Sequence, residues 1–167
     1  FENPLMQKNG ADYDTEELQE EIELRACENL EHWEEGSCLY GGWWNEALHG
    51  LARSGLATSF QQSIGLGSTW HPELIRQMGD VASTEARIHN NVYGKKLTFW
   101  SPTINILRDP RWGRNEESYS EDPFLLSRMA VAFVKGMQGN HPRYLKSVAT
   151  VKHFVANNSE FNRHFGS

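Results

Sequence analysis

Residues 97–107 read LTFWSPTINIL, residues 122–139 read DPFLLSRMAVAFVKGMQG, and residues 147–155 read SVATVKHFV. The reading of this run decides the fold class. In the middle piece Asp122 is a helix cap, and Pro123 suits the first helical position, where its missing N–H has no partner to lose. Gly139 closes that helix after about Gln138. Leu97–Leu107 has strand composition interrupted by Pro102, which marks an edge or a strand end. Ser147–Val155 is rich in Val and Ala and predicts a buried strand. Further toward the N-terminus, His71-Pro72-Glu73 opens another helix, and Leu74, Ile75, Met78, Val81, Ala82 and Ala86 keep helical spacing to about His89. Before it, Gly65 and Gly67 mark a turn, Leu56–Phe60 predicts a short strand, Asn45–Ser54 a loop, and residues 38–44 a first strand. Alternating strands and helices predict an α/β fold with parallel strands and crossover helices. The pattern alone fits either a barrel or an open doubly wound sheet.

The remaining lead-in is different in character. Residues 1–13 are polar and irregular, and Asp14 can cap an acidic helix running to about Glu34. Leu18, Ile22, Ala26, Leu30 and Trp33 give that helix one apolar stripe, and its acidic face reads as solvated surface. With 167 residues the chain is about one ordinary domain. It begins at Phe1 and ends at Ser167 soon after a polar segment, so both ends are expected to be truncations.

A net charge of −6 argues against a nucleic-acid-binding face. No apolar run approaches the roughly 18 residues of a membrane span. Cys27 and Cys38 are too few for a disulfide framework and match no zinc spacing. Neither a metal nor another cofactor is expected, since His49, His153 and His164 lack ligand spacing as well. The compartment stays open between extracellular or periplasmic and cytoplasmic. Six tryptophans are many for this length. Core packing explains such residues, but flat aromatic faces also stack on sugars, which brings carbohydrate in as a ligand class.

The polar clusters fall in matching places. Asn45–Gly50 follows the first predicted strand, Arg108–Arg114 follows Leu107, and Lys152-His153 lies near the end of the last strand. In parallel α/β folds these carboxyl ends share one face, where ligands bind. Each candidate has a plainer alternative. Lys152 sits in an apolar strand where burial is expensive without partners, so a polar pocket is favoured over packing. The Arg114 guanidinium suits hydroxyls or carboxylates, and equally suits a loop-stapling salt bridge to Glu117, Glu121 or Asp122. Asp109 before Pro110 reads first as a turn former. Glu46 fits a sugar diol or a solvated surface. Asn157-Asn158-Ser159 matches a glycosylation acceptor, with chance the better explanation.

With these segments laid out, the chain resembles glycoside hydrolase family 3. The matching pieces are Trp43-Trp44-Asn45-Glu46-Ala47-Leu48-His49-Gly50, Ile64–Trp70, Trp100–Arg114, Tyr119-Ser120-Glu121-Asp122-Pro123 and Val151-Lys152-His153-Phe154. They span roughly residues 41–165 in the family's order, while residues 1–40 form the acidic helical lead-in. The resemblance implies the N-terminal half of a TIM-like (β/α)8 barrel. It also implies a retaining, exo-acting hydrolase that removes sugars from the non-reducing end. Carried over by motif, Glu46, Arg114, Lys152, His153 and Arg163 would bind the hydroxyls of the sugar in the −1 subsite, and Trp100 would help wall the pocket.

Glu at position 46, within Glu-Ala-Leu-His-Gly, is similar to the β-xylosidase branch, where many β-glucosidases carry Asp. β-Xylose is therefore favoured, with α-L-arabinofuranose and β-glucose as alternatives. The N-acetylglucosaminidase branch has an Asp-Ser-His element after Lys-His-Phe that is absent from residues 154–164. The family's nucleophilic Asp, in a Ser-Asp-Trp-like strand end, is expected downstream of Ser167, and the acid/base later still. The piece alone is thus expected to be inactive, with a small carbohydrate and the remainder of its own chain as partners. The competing readings are a non-catalytic carbohydrate-binding half-barrel and a nucleotide-binding α/β domain. The second lacks any Gly-rich phosphate loop.

Overall fold

The computed structural model describes residues 45–52 and 55–161. The acidic helix expected from Asp14 to Glu34, the strand over 38–44 and Arg163 lie outside the described residues. The described part contains α1 (Ser63–Gly67), α2 (Pro72–Tyr93), β1 (Thr98–Phe99), a 3-10 turn (Asn115–Glu117), α3 (Pro123–Gln138) and β2 (Val148–Ala149).

The two long helices follow the local chemistry of their ends. In α3, Asp122 accepts hydrogen bonds from the backbone N–H of Phe124 and Leu125, Pro123 is the first residue, and Gly139 caps the other end. Those are the bounds expected from the sequence. In α2, the His71 side chain accepts from the Leu74 N–H ahead of Pro72. This helix continues past His89 to Tyr93 and stops at Gly94, whose φ of 69° is left-handed. The apolar spacing ends before the helix does, because the last turn is closed by glycine geometry rather than by burial.

The helices pack against each other over Ile75, Met78, Ala82, Ala86, Met129, Phe133 and Met137, all buried in one core that also takes in Phe99 and Tyr119. Their backbones approach closely at two glycines. A side chain at Gly79 would come within 2.7 Å of the Phe133 carbonyl oxygen, and one at Gly136 would collide with the Arg76 carbonyl. Ser83 donates to the Gly136 carbonyl oxygen across the same seam at 3.2 Å.

β1 and β2 pair in parallel, Thr98 with Val148 and Phe99 with Ala149. The crossover between them carries α3, as the strand–helix–strand order predicts. Pairing resumes beyond Pro102, where Thr103 bridges both Ser118 and Lys152 in parallel. Ile104 donates its N–H to the Lys152 carbonyl oxygen at 2.6 Å, and Lys152 donates to that of Pro102 at 3.1 Å. The single strand expected over Leu97–Leu107 is therefore a two-residue strand and an isolated bridge, divided by the residue with no N–H to give.

Three expectations are corrected. Leu56–Phe60 is not a strand, since its contacts are loop contacts such as Phe60 N–H to the His49 carbonyl oxygen at 2.8 Å. Gly65 and Gly67 lie inside α1 rather than in a turn. The strand expected over Ser147–Val155 is ordered as β2 only at Val148–Ala149, and it is not buried as its composition suggested. Val148, Val151 and Val155 are exposed while Ser147 and Lys152 are buried. A two-stranded sheet covers one face and one edge of the strand, so the apolar residues of the other face meet solvent in these residues.

Candidate active site

Pairing of Thr103 with both Lys152 and Ser118 brings three chain segments to one place, just past the carboxyl ends of β1 and β2. Lys152 is at the centre. Its Nζ lies 2.8 Å from Glu46 Oε1 and 3.5 Å from Glu117 Oε2, with its side chain 8% exposed. A buried ammonium needs such partners, because desolvation without them costs several kcal/mol. Glu46 is held by its own loop, which folds back so that Glu46 bridges Ala52 and the Ala47 N–H rests on Ser101 Oγ at 2.8 Å.

Arg114 lies at the start of the 3-10 turn and grips Glu117 in a fork, Nε to Oε1 and Nη2 to Oε2, each at 2.7 Å. Its Nη1 is 3.7 Å from Glu160 Oε1, and Trp112 Nε1 donates to the same oxygen at 2.9 Å. Arg114 therefore has the loop-stapling role through Glu117, and the same carboxylate stands next to Lys152. Asp109 has the turn-forming role read from its neighbour Pro110. Its Oδ1 accepts the Arg111 N–H at 2.9 Å, and bonding to Arg111 holds the Asp109 carboxyl down at about 2.

His153 follows Lys152 across a cis peptide bond. Its backbone N–H and its Nδ1 both bond Asn105 Oδ1, at 3.0 and 2.9 Å, and its ring meets Trp112 edge-on at 6.5 Å. Trp100 donates its backbone N–H to the Asn45 carbonyl oxygen at 2.8 Å, one residue from Glu46, and its residue is 40% exposed.

The electrostatics follow from this packing. Burial acts to raise the Glu117 pKa, but the Arg114 hydrogen bond and the Lys152 charge more than offset it, and the carboxyl stays below its ordinary value. The bond to Glu117 in turn raises Arg114. Burial, followed by the charges of Arg114 and Lys152, lowers His153 below the usual imidazole value, against smaller opposing effects from Glu117 and Glu160. The cluster brings together the Lys152 amine, the Arg114 guanidinium, the Glu46 and Glu117 carboxyl groups and the His153 imidazole. Such a set offers directed donors and acceptors to a neutral polyhydroxylated ligand.

Of the residues expected here, Glu46, Arg114, Lys152 and His153 come together, Trp100 is anchored next to Glu46, and Arg163 is outside the described residues. Glu117 and Asn105 were not identified as site residues from the sequence. Glu117 entered only as a loop-stapling partner. Asn105, within an apolar strand, is a polar residue that burial makes costly unless it is bonded, and that was the available signal. Another surface depression lies away from this cluster, around Gln138, His141, Tyr144 and Lys146. Its cations are already engaged: Lys146 bonds Asp80 and Thr84, and Arg87 bonds the Lys146 and Leu145 carbonyls.

Residues 38–166 match the glycosyl hydrolase family 3 N-terminal domain. A xylan 1,4-β-xylosidase of Xylanibacter ruminicola is 42% identical over 73% of this chain and 16% of its own length. β-D-Xylosidase 3 of Arabidopsis thaliana is 47% identical over 68% of this chain and 16% of its own. The chain thus spans about a sixth of the length of these relatives. Among solved structures, a family 3 exo-β-xylosidase in complex with a xylobiose aziridine probe superposes with a TM-score of 0.65 at 36% identity, covering 70% of this chain and 16% of that one. β-Glucosidase 3B of Thermotoga neapolitana, in complex with α-D-glucose, gives 0.59 at 39% identity, covering 71% and 16%. The described α/β elements are accordingly part of a TIM-like barrel, and the chain belongs to glycosyl hydrolase family 3.

Proposed function

We propose that this chain supplies the −1 subsite of a retaining, exo-acting glycoside hydrolase that removes β-xylose from the non-reducing end of short oligosaccharides. The observation that carries the reading is the buried contact of Lys152 with Glu46 and Glu117, reinforced by the Arg114 fork. Charged donors and acceptors make the stronger hydrogen bonds, and those that tighten in the transition state add to rate as well as to binding. Glu46, Arg114, Lys152, His153 and Arg163 take the sugar hydroxyls in this reading, and Trp100 walls the pocket. The β-xylosidase names of the similar proteins and Glu at position 46 both favour a pentose.

No Ser-Asp-Trp-like strand end follows Ser147. In the proposed mechanism a carboxylate from the rest of the full-length protein attacks the anomeric carbon, and a second group protonates the leaving oxygen. Water then hydrolyses the glycosyl-enzyme. The role of these residues is to hold the ring in register with that carboxylate and to strengthen their hydrogen bonds as charge develops. Residues 1–40 act as a lead-in to the barrel portion at 41–165, and the remainder of the protein is its structural partner.

The test is the full-length protein assayed on nitrophenyl β-xyloside, α-L-arabinofuranoside and β-glucoside. β-Xyloside is expected to give the highest kcat/KM, and preference for glucoside would reject the pentose reading. Lys152→Ala should lower kcat/KM on the best substrate by about 100-fold or more, equivalent to about 2.7 kcal/mol. An unchanged value removes Lys152 from the subsite.

A further inference from the structure

Asn105 is 6% exposed, and its amide touches two backbone groups that can each play only one part. Asn105 Nδ2 lies 2.5 Å from the Asn157 carbonyl oxygen, which can only accept. Asn105 Oδ1 lies 3.0 Å from the His153 backbone N–H, which can only donate. The amide orientation is therefore fixed by the backbone on both sides. The third contact, His153 Nδ1 at 2.9 Å from the same Oδ1, then has a single solution: Nδ1 carries the proton. In the neutral ring the other nitrogen is left with its lone pair.

We infer that Asn105 is a positioning residue that fixes His153 as the Nδ1–H tautomer, so that Nε2 meets the ligand as a hydrogen-bond acceptor. Among the described residues no hydrogen bond is made to Nε2. The edge-on contact with Trp112 supports the ring plane from the side. The charges of Arg114 and Lys152 act on the ring, and those of Glu117 and Glu160 oppose them. A neutral acceptor among these donors gives the site the ability to take a proton from a ligand hydroxyl into a hydrogen bond without adding another positive charge. Below the histidine's own titration the ring becomes a donor at both nitrogens and can no longer accept the hydroxyl proton.

The inference rests on the sugar-binding reading for the identity of the ligand, but not for the tautomer. In full-length protein carrying 15N-histidine, with His153 assigned by difference from His153→Gln, the nitrogen shifts at pH 7 are expected to show Nδ1 protonated and Nε2 bare. The opposite pattern overturns the inference. In Asn105→Asp the carboxylate keeps an acceptor at Nδ1 but stabilises the imidazolium. The acid limb of kcat/KM for nitrophenyl β-xyloside should then move upward by about 1 to 3 pH units, with activity recovering at higher pH. A merely structural role would lower kcat/KM at every pH without moving the limb, and a limb that stays in place overturns the inference. If Asn105→Asp does not fold, the tautomer measurement on the unaltered sequence decides alone. If His153→Gln leaves both kcat/KM and xylose binding unchanged while the tautomer is as stated, the sugar reading fails and the tautomer assignment stands.

Discussion

The α2–α3 seam is buried and the Glu46–Arg114–Glu117 set is half-buried around a buried Lys152, and the two regions are held by opposite means. The seam joins two helices whose apolar residues recur locally, and it closes through close backbone approach at Gly79 and Gly136. The cluster joins residues as far apart as Glu46 and Lys152 and neutralises each charge with a neighbour. Apolar packing tolerates changes of pH and is sensitive to volume. Paired charges are sensitive to protonation and to the loss of one partner. The molecule thus separates what holds it together from what would hold its ligand, and the two regions should respond differently to perturbation.

The largest effect on stability is expected in the seam. Phe133 is fully buried between the helices, and Phe133→Ala in the full-length protein should destabilise the barrel domain by about 3–5 kcal/mol in denaturant unfolding, with little dependence on pH. A comparable loss of kcat/KM in the remaining folded protein would erase the distinction between the regions. A smaller effect, but a pH-dependent one, is expected in the cluster. Glu117→Gln should cost about 1.5–3 kcal/mol at neutral pH through its charged hydrogen bonds. The folded Glu117 carboxyl is depressed below 4.5, so its stabilisation is present above that value and is lost as pH falls through the folded pKa. The gap between the two proteins should therefore close as pH falls below 4.5. A constant gap would mean that Glu117 acts through shape alone. The smallest effect belongs to a helix end: Asp122→Ala should cost about 1 kcal/mol by removing the cap of α3, and leave kcat/KM unchanged.

The same contrast explains how much of the molecule was legible in its sequence. Asp122-Pro123 and Gly139 gave the bounds of α3 because helix ends are decided by neighbouring residues. The family resemblance brought Glu46, Arg114, Lys152 and His153 forward as a group, and their strand-end positions agreed with it. Asn105 and Glu117 were missed as site residues because their importance lies in partners distant in sequence or in shared contacts, neither of which has a periodicity. Val148, Val151 and Val155 misled for a related reason. Composition reports that a strand can be covered on both faces, whereas coverage depends on what else packs there. Leu56–Phe60 shows the limit at short length, where an apolar run without a pairing partner stays a loop.

Sugar binding by the strand-end cluster is the proposal on which the other roles depend. Its most direct test is a crystal structure of the full-length protein with xylose. The ring is expected beside Glu46, Arg114, Lys152 and His153, with hydroxyl oxygens at hydrogen-bonding distances of about 2.5–3.2 Å from their polar atoms. Xylose bound away from this cluster, with Lys152 still closed on Glu46 and Glu117, would contradict it.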